Sequence, residues 1–265
     1  MNATLTQLNI FPLKSGAAVS CESAQVEARG LRDDRRWMVV DEAGNFMTGR
    51  KHPAMTLIRA RPHERGLHVE APRMPSMNVL PNPSQSVAAK VWDDSVVAVG
   101  ANANADAWIS QYLGQTARFV YMSANVHRPV LQKYGRAGDE VSFADGYPLL
   151  LISEAALDFL NSKLAAPIPM LRFRPNLVIG GTDAHAEDGW RRIRIGDIEL
   201  DIVKPCVRCV FTTVDPSRGE RDPSGEPLRT LLGYRRSPKG VTFGQNVIPR
   251  RLGTLRVGDR VEVIA

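Results

Sequence analysis

Turn-forming residues cut the first half of this chain into pieces too short for most helices. Pro72-Arg73-Met74-Pro75 and Pro81-Asn82-Pro83-Ser84 punctuate short apolar segments near residues 57–60, 67–70, 86–91 and 96–99. Proline fixes φ and removes a backbone donor, and apolar alternation with period two fills one face of a strand. Upstream, residues 5–13 alternate loosely and end at Pro12-Leu13-Lys14-Ser15-Gly16. Residues 36–40 read as a strand, 41–45 as a hairpin turn and 46–48 as the return. Strands at this spacing predict a small barrel or sandwich.

Helical periodicity enters later. Trp108, Ile109, Tyr112 and Leu113 share one face of a helix over 105–113, and Gly114 stops it. Ser153 caps a second helix with Ala156, Leu157, Leu160 and Leu164 on its apolar face. Strands are expected at 118–121, 176–179, 192–195, 199–203 and 209–214. A short helix should open at Pro227, and a closing β-pair should turn around Gly258-Asp259. The polar stretch 122–145 suits a domain seam. The class is mainly β with a few helices (α+β).

Charge and composition exclude several functions. No apolar run among the 265 residues reaches the roughly 18 that a membrane helix needs. Three cysteines argue against a disulfide framework. The N-terminus shows no basic segment followed by an apolar one, so a cytoplasmic protein with no membrane partner is expected. A net charge of +6 invites nucleic acid, but the basic residues are dispersed and aromatics make up only 6%. An anionic small ligand or an acidic protein fits at least as well.

Four motifs carry possible chemistry. Cys206-x-x-Cys209 could be a soft metal site, a redox dithiol or two small buried residues in a strand. Structural zinc is disfavoured because the five histidines supply no ligand pair. Lys14-Ser15-Gly16 ends a strand with a charge, a donor and an open backbone, which suits a phosphate but equally a polar turn. Arg35 and Arg36 should point to opposite faces, with Thr48-Gly49-Arg50 beside one of them. Arg174 should begin an apolar strand, with Asn176 as its support.

Taken in order, these pieces are more specific. Pro12-Leu13-Lys14-Ser15, Gly30-Leu31 before Asp34-Arg35 and Trp37, Thr48-Gly49-Arg50, Ser153-Glu154-Ala155, Phe173-Arg174-Pro175-Asn176 and Cys206 through Pro216 run nearly end to end. Together they resemble the MOSC-domain family, especially its YcbX-type and amidoxime-reducing branches. The resemblance implies a β-barrel-like N-terminal domain over 1–120, packed on a MOSC β-barrel domain over 121–265. It implies a molybdenum–molybdopterin cofactor, with Cys209 as catalytic residue and metal ligand and Cys206 as a neighbour. A soft thiolate suits a metal already held by dithiolene sulfurs, and Arg208 would stabilise it. Lys14, Ser15, Arg35 and Arg174 would contact the pterin or its phosphate, and Gly146, Tyr147 and Val207 would contribute backbone contacts. Gly146 and Tyr147 depart from the Thr-Ser of mitochondrial relatives. The implied activity reduces N-hydroxylated substrates, with electrons from a separate ferredoxin or flavoprotein and Asp145 or Asp215 as candidate proton donors. The alternatives are a sulfur or cofactor carrier that uses a Cys209 persulfide, and a module without catalysis.

Overall fold

The computed structural model describes residues 2–265. A nine-stranded sheet forms one body. Its path runs Val19–Cys21, Thr4–Ile10, Leu177–Gly180, Leu149–Ser153, Gly240–Pro249, Ile198–Val207, Arg192–Ile195 and Val261–Val263, with Arg236–Ser237 beside Gly240–Pro249. The path curls until Thr4 bridges Arg260, and the Val261 N–H donates to the Ala3 carbonyl at 2.8 Å. That seam closes the sheet into a barrel and removes an edge.

Alternation sorts the side chains of these strands. Leu149, Leu151, Leu177, Ile179, Ile193 and Val247 point inward and are buried together with Leu5. Leu150, Ile152 and Val178 point outward and pack with Phe173 and Phe243 under the helix Glu154–Asn161. The Ser153 hydroxyl accepts from the Ala156 N–H at 3.2 Å, so the expected cap is made.

The other body pairs Trp37–Val40, Arg118–Tyr121, Asp94–Ala101 and Pro81–Val91 in one sheet, and Arg59–His63, Gly66–Glu70 and Met77–Val79 in a second. Trp37 and Val39 face the helix Ala103–Leu113, which Gly114 ends at φ 68°. Met38 and Val40 face a separate cluster that includes Phe143.

Several expectations change. Pro81 and Pro83 lie inside a strand, because Pro81–Val91 is an edge strand and an edge tolerates missing donors. Its register jumps from Val99 opposite Ser86 to Gly100 opposite Asn82, which sets Pro83 in a bulge. The return after the turn at 41–45 is only isolated bridges, Phe46 to Val40 and Asn45 to Lys90. Residues 209–214 form no continuous strand; Val210–Thr213 is a 3-10 turn. The closing pair separates, with Gly253–Arg256 joining Ser23–Glu27 and Val261–Val263 joining Arg192–Ile195. The first strand, Thr4–Ile10, pairs with Leu177–Gly180 from the other end of the chain.

Candidate active site

One open cleft of about 860 Å³ lies where the two bodies meet, and all nine residues singled out from the sequence line it: Lys14, Ser15, Arg35, Gly146, Tyr147, Arg174, Val207, Arg208 and Cys209. The strand Thr4–Ile10 delivers the first of them. Lys14 and Ser15 follow it in a turn held by the Lys14 N–H on the Trp37 carbonyl at 2.8 Å. Ser15 has φ 68°. The Lys14 ammonium is buried and donates to the Phe143 carbonyl at 2.7 Å and to Asp145 Oδ1 at 2.6 Å.

Two arginines share one aromatic support. The guanidinium carbon of Arg35 lies 4.4 Å from the centroid of Phe11, and that of Arg174 lies 4.1 Å from it. Arg35 donates to buried Asp34 at 2.5 Å, to Asn176 Oδ1 at 3.0 Å and to the Arg174 carbonyl at 3.2 Å. Asn176 therefore supports Arg35 rather than Arg174. Arg174 sits in the left-handed region at φ 58°, ends a 3-10 turn and donates Nη1 to the Gly16 carbonyl at 2.6 Å. Its Nη2 is buried without a partner. Burial, with Arg35 beside it, pushes its pKa down to about 9. It remains charged at neutral pH, and a bound anion would relieve the cost.

The cysteines are unequal. Cys206 is the last residue but one of the strand Ile198–Val207, and Arg208 donates Nη1 to its Sγ at 3.0 Å. The expected support of Cys209 by Arg208 is thus not made. Arg208 also donates to the Phe173 carbonyl at 2.6 Å, and its Nε is buried without a partner. Cys209 is exposed to the cleft and precedes the 3-10 turn. The Thr212 hydroxyl donates to its carbonyl at 3.0 Å, and the Thr213 hydroxyl to the Val210 carbonyl at 2.7 Å. These bonds favour a turn over the strand that the β-branched composition suggests.

Gly146 leaves open space, since a Cβ there would meet nothing within 4 Å. The Tyr147 hydroxyl is buried without a partner, and burial pushes its pKa up to about 12. The crowding of the cleft around Asp145 would raise its carboxyl even though the side chain is exposed, but the Lys14 ammonium outweighs this and holds the pKa well below the usual carboxylate range. Asp145 is therefore no proton source at neutral pH. Asp215 lies outside the cleft lining, bonded to Ser217 at 2.7 Å and paired with Arg172 at 3.4 Å.

The lining holds six cations, Lys14, Arg35, Arg50, Arg172, Arg174 and Arg208, against the single carboxylate of Asp145. Among the described residues, no three His, Cys, Asp or Glu side chains stand together as a metal cage. The cleft suits an anionic ligand and can offer a metal one thiolate.

A family model for the MOSC N-terminal beta barrel domain matches residues 2–116, and one for the MOSC domain matches residues 138–262. The chain belongs to the MOSC family. Mitochondrial amidoxime-reducing component 1 of Xenopus laevis is 34% identical over 278 residues, spanning 97% of this chain and 81% of its own. The human component 1 is 34% identical over 281 residues, spanning 98% and 83%. Human component 2 is 33% identical over 278 residues, spanning 97% and 82%. These relatives are named as mitochondrial, which overturns the expected cytoplasmic location; a chain start without a recognisable leader does not fix a compartment. No helix among the described residues is long and apolar enough to cross a membrane.

Sequence reasoning missed part of this MOSC cleft. The sequence does not single out Phe11, and Phe173 enters only as a motif member, yet the Phe11 ring supports Arg35 and Arg174, and the Phe173 ring lies 5.3 Å from the guanidinium carbon of Arg208. Arg128, 3% exposed, was hidden in the polar seam. It donates to the carbonyls of Ser142, Ala144 and Asp145 at 2.9, 2.5 and 3.0 Å and so shapes the cleft wall.

Proposed function

We propose that this protein is a molybdenum cofactor-dependent oxidoreductase that reduces N-hydroxylated compounds, with release of water: hydroxylamines to amines and amidoximes to amidines. The observation that carries this reading is the exposed Cys209 thiol in a cleft where buried guanidinium nitrogens of Arg174 and Arg208 lack partners. The relatives' name, amidoxime-reducing component, supports the substrate class. We further propose that the chain divides at 120/121, with the strand Thr4–Ile10 lent to the second domain's barrel.

The residues present fit the cofactor. Cys209 would supply the one protein thiolate, and Arg174 and Arg208 would turn their unpaired N–H groups on the phosphate or pterin. Lys14, Ser15 and Arg35 would line the same anionic edge, and Gly146 and Val207 would contribute backbone contacts. When bound, the cofactor supplies the two-electron chemistry that removal of oxygen from N–OH requires.

The remaining work belongs to the chain. Reduction of N–OH to N–H and water consumes two electrons and two protons. Electrons come from a separate redox protein, a ferredoxin or flavoprotein whose acidic surface would suit the net charge of +6. Ionised Asp145 orients the Lys14 ammonium, and the buried Tyr147 phenol stays protonated at neutral pH.

The test uses protein made in a cofactor-competent host. Native protein should carry molybdenum and reduce hydroxylamine with an artificial donor. Cys209→Ala should lose the metal and Cys206→Ala should keep it. Equal metal loss in both would sink the ligand assignment, and a cyanide-labile persulfide without metal would favour a sulfur carrier.

A further inference from the structure

Beside the cleft, bonded to its lining residue Asp145, stands an indole that no step above uses. Trp92 forms the tip of the hairpin between Pro81–Val91 and Asp94–Ala101 and is 46% exposed. Its backbone has φ 56°, a left-handed conformation that bulky residues avoid. Two bonds hold it there. The indole Nε1 donates to Asp145 Oδ1 at 3.2 Å, the oxygen that also accepts from Lys14. Just beyond the tip, Asp94 accepts from the buried guanidinium of Arg128 at 2.6 Å, and Arg128 holds the carbonyls of residues 142, 144 and 145. The tip is therefore latched to the segment that carries Asp145 into the cleft.

Its neighbours are suited to flat ligands. The guanidinium carbon of Arg50, a cleft-lining residue, lies 4.2 Å from the Trp92 ring centroid. The Phe46 ring lies 5.2 Å away at 56°. An exposed indole with a guanidinium and a second ring for neighbours presents a planar, polarisable surface, and conjugated groups stack on such a surface without a demanding hydrogen-bond pattern.

We propose that Trp92, with Arg50 and Phe46, is a specificity-determining rim that recognises a planar aromatic group carrying the N–OH function. This rests on the reductase reading and refines it toward aryl and heteroaryl substrates. Trp92 binds the organic group and so raises the local occupancy of the N–OH inside the cleft.

The experiment compares benzamidoxime with acetamidoxime, which carries the same N–OH without a ring, using the cofactor-loaded protein. Trp92→Ala should lower kcat/KM for benzamidoxime relative to acetamidoxime by on the order of tenfold, mainly through KM. Trp92→Phe should restore most of that ratio. Benzamidoxime should quench the fluorescence of the wild-type protein, and Trp92→Phe should lose that quenching. A ratio unchanged in Trp92→Ala, or equal losses on both substrates in Trp92→Ala and Trp92→Phe, would overturn the rim. If the wild type reduces neither compound, the reductase reading fails and takes this one with it.

Discussion

Arg174 concentrates the electrostatic problem of the cleft at a single residue. Its charge is buried, Arg35 and Arg208 lie nearby, and one of its nitrogens has no partner. A small anion should therefore stabilise the protein. Inorganic phosphate at about a hundred times its Kd would contribute about 2.7 kcal/mol, a rise in Tm of roughly 5–10 °C. Arg174→Ala should lose most of that rise, and a full phosphate shift in the variant would remove Arg174 from the anion site. Glu187 is a second buried group, fully enclosed, accepting from the Ser153 N–H at 3.0 Å and the Ser153 hydroxyl at 2.8 Å. Burial raises its pKa, so the folded state holds this proton more tightly than the unfolded chain. Its contribution is whole below the unfolded pKa of about 4.3 and is lost as pH rises through the folded value. Glu187→Gln should therefore gain stability relative to wild type as pH rises above the unfolded carboxyl value of about 4.3, as read by urea unfolding; a shrinking difference would contradict the sign. Lys14, Arg35, Arg174 and the Cys206/Cys209 pair stand in short motifs, while the choice of Cys209 over Cys206 rests on the family resemblance. The bond from Trp92 to Asp145 stands in none, because it joins positions that only the folded chain brings together.

At the scale of elements, local pattern served well where burial followed it. The strands Arg118–Tyr121 and Arg192–Ile195 match the sequence expectation residue for residue. The turn Val210–Thr213 misled because β-branched residues favour strands on average, while here their hydroxyls bond to nearby carbonyls. Gly244 marks a comparable local exception. It has φ 75° within the strand Gly240–Pro249, and an added Cβ would lie 2.5 Å from Ile152 Cγ1 and 2.8 Å from the Leu151 carbonyl. Gly244→Ala should cost about 1–3 kcal/mol in chemical denaturation. A cost within error of zero would mean that the strand relaxes freely there.

For the whole molecule, the mainly β class was legible because alternation is local. The partnership of Thr4–Ile10 with Leu177–Gly180 was not, because nothing in either segment names the other. That pairing makes the two family-matched regions mechanically dependent. A fragment of residues 121–265 should fail to unfold cooperatively or give native near-UV circular dichroism, since the edge of Leu177–Gly180 would lie bare; a sharp unfolding transition would disprove the dependence. The same pairing sets a timetable. During synthesis, residues 4–10 emerge about 170 positions before their partners, a wait of roughly 10–35 s at ribosomal speeds of about 5–20 residues per second. Lys14 and Ser15, tethered to that waiting strand, cannot meet Arg174 or Cys209 until most of the chain has been made. Capture of the proposed cofactor would have to wait for this pairing, and a loading factor would have to recognise a barrel in which residues 4–10 already lie beside Leu177–Gly180.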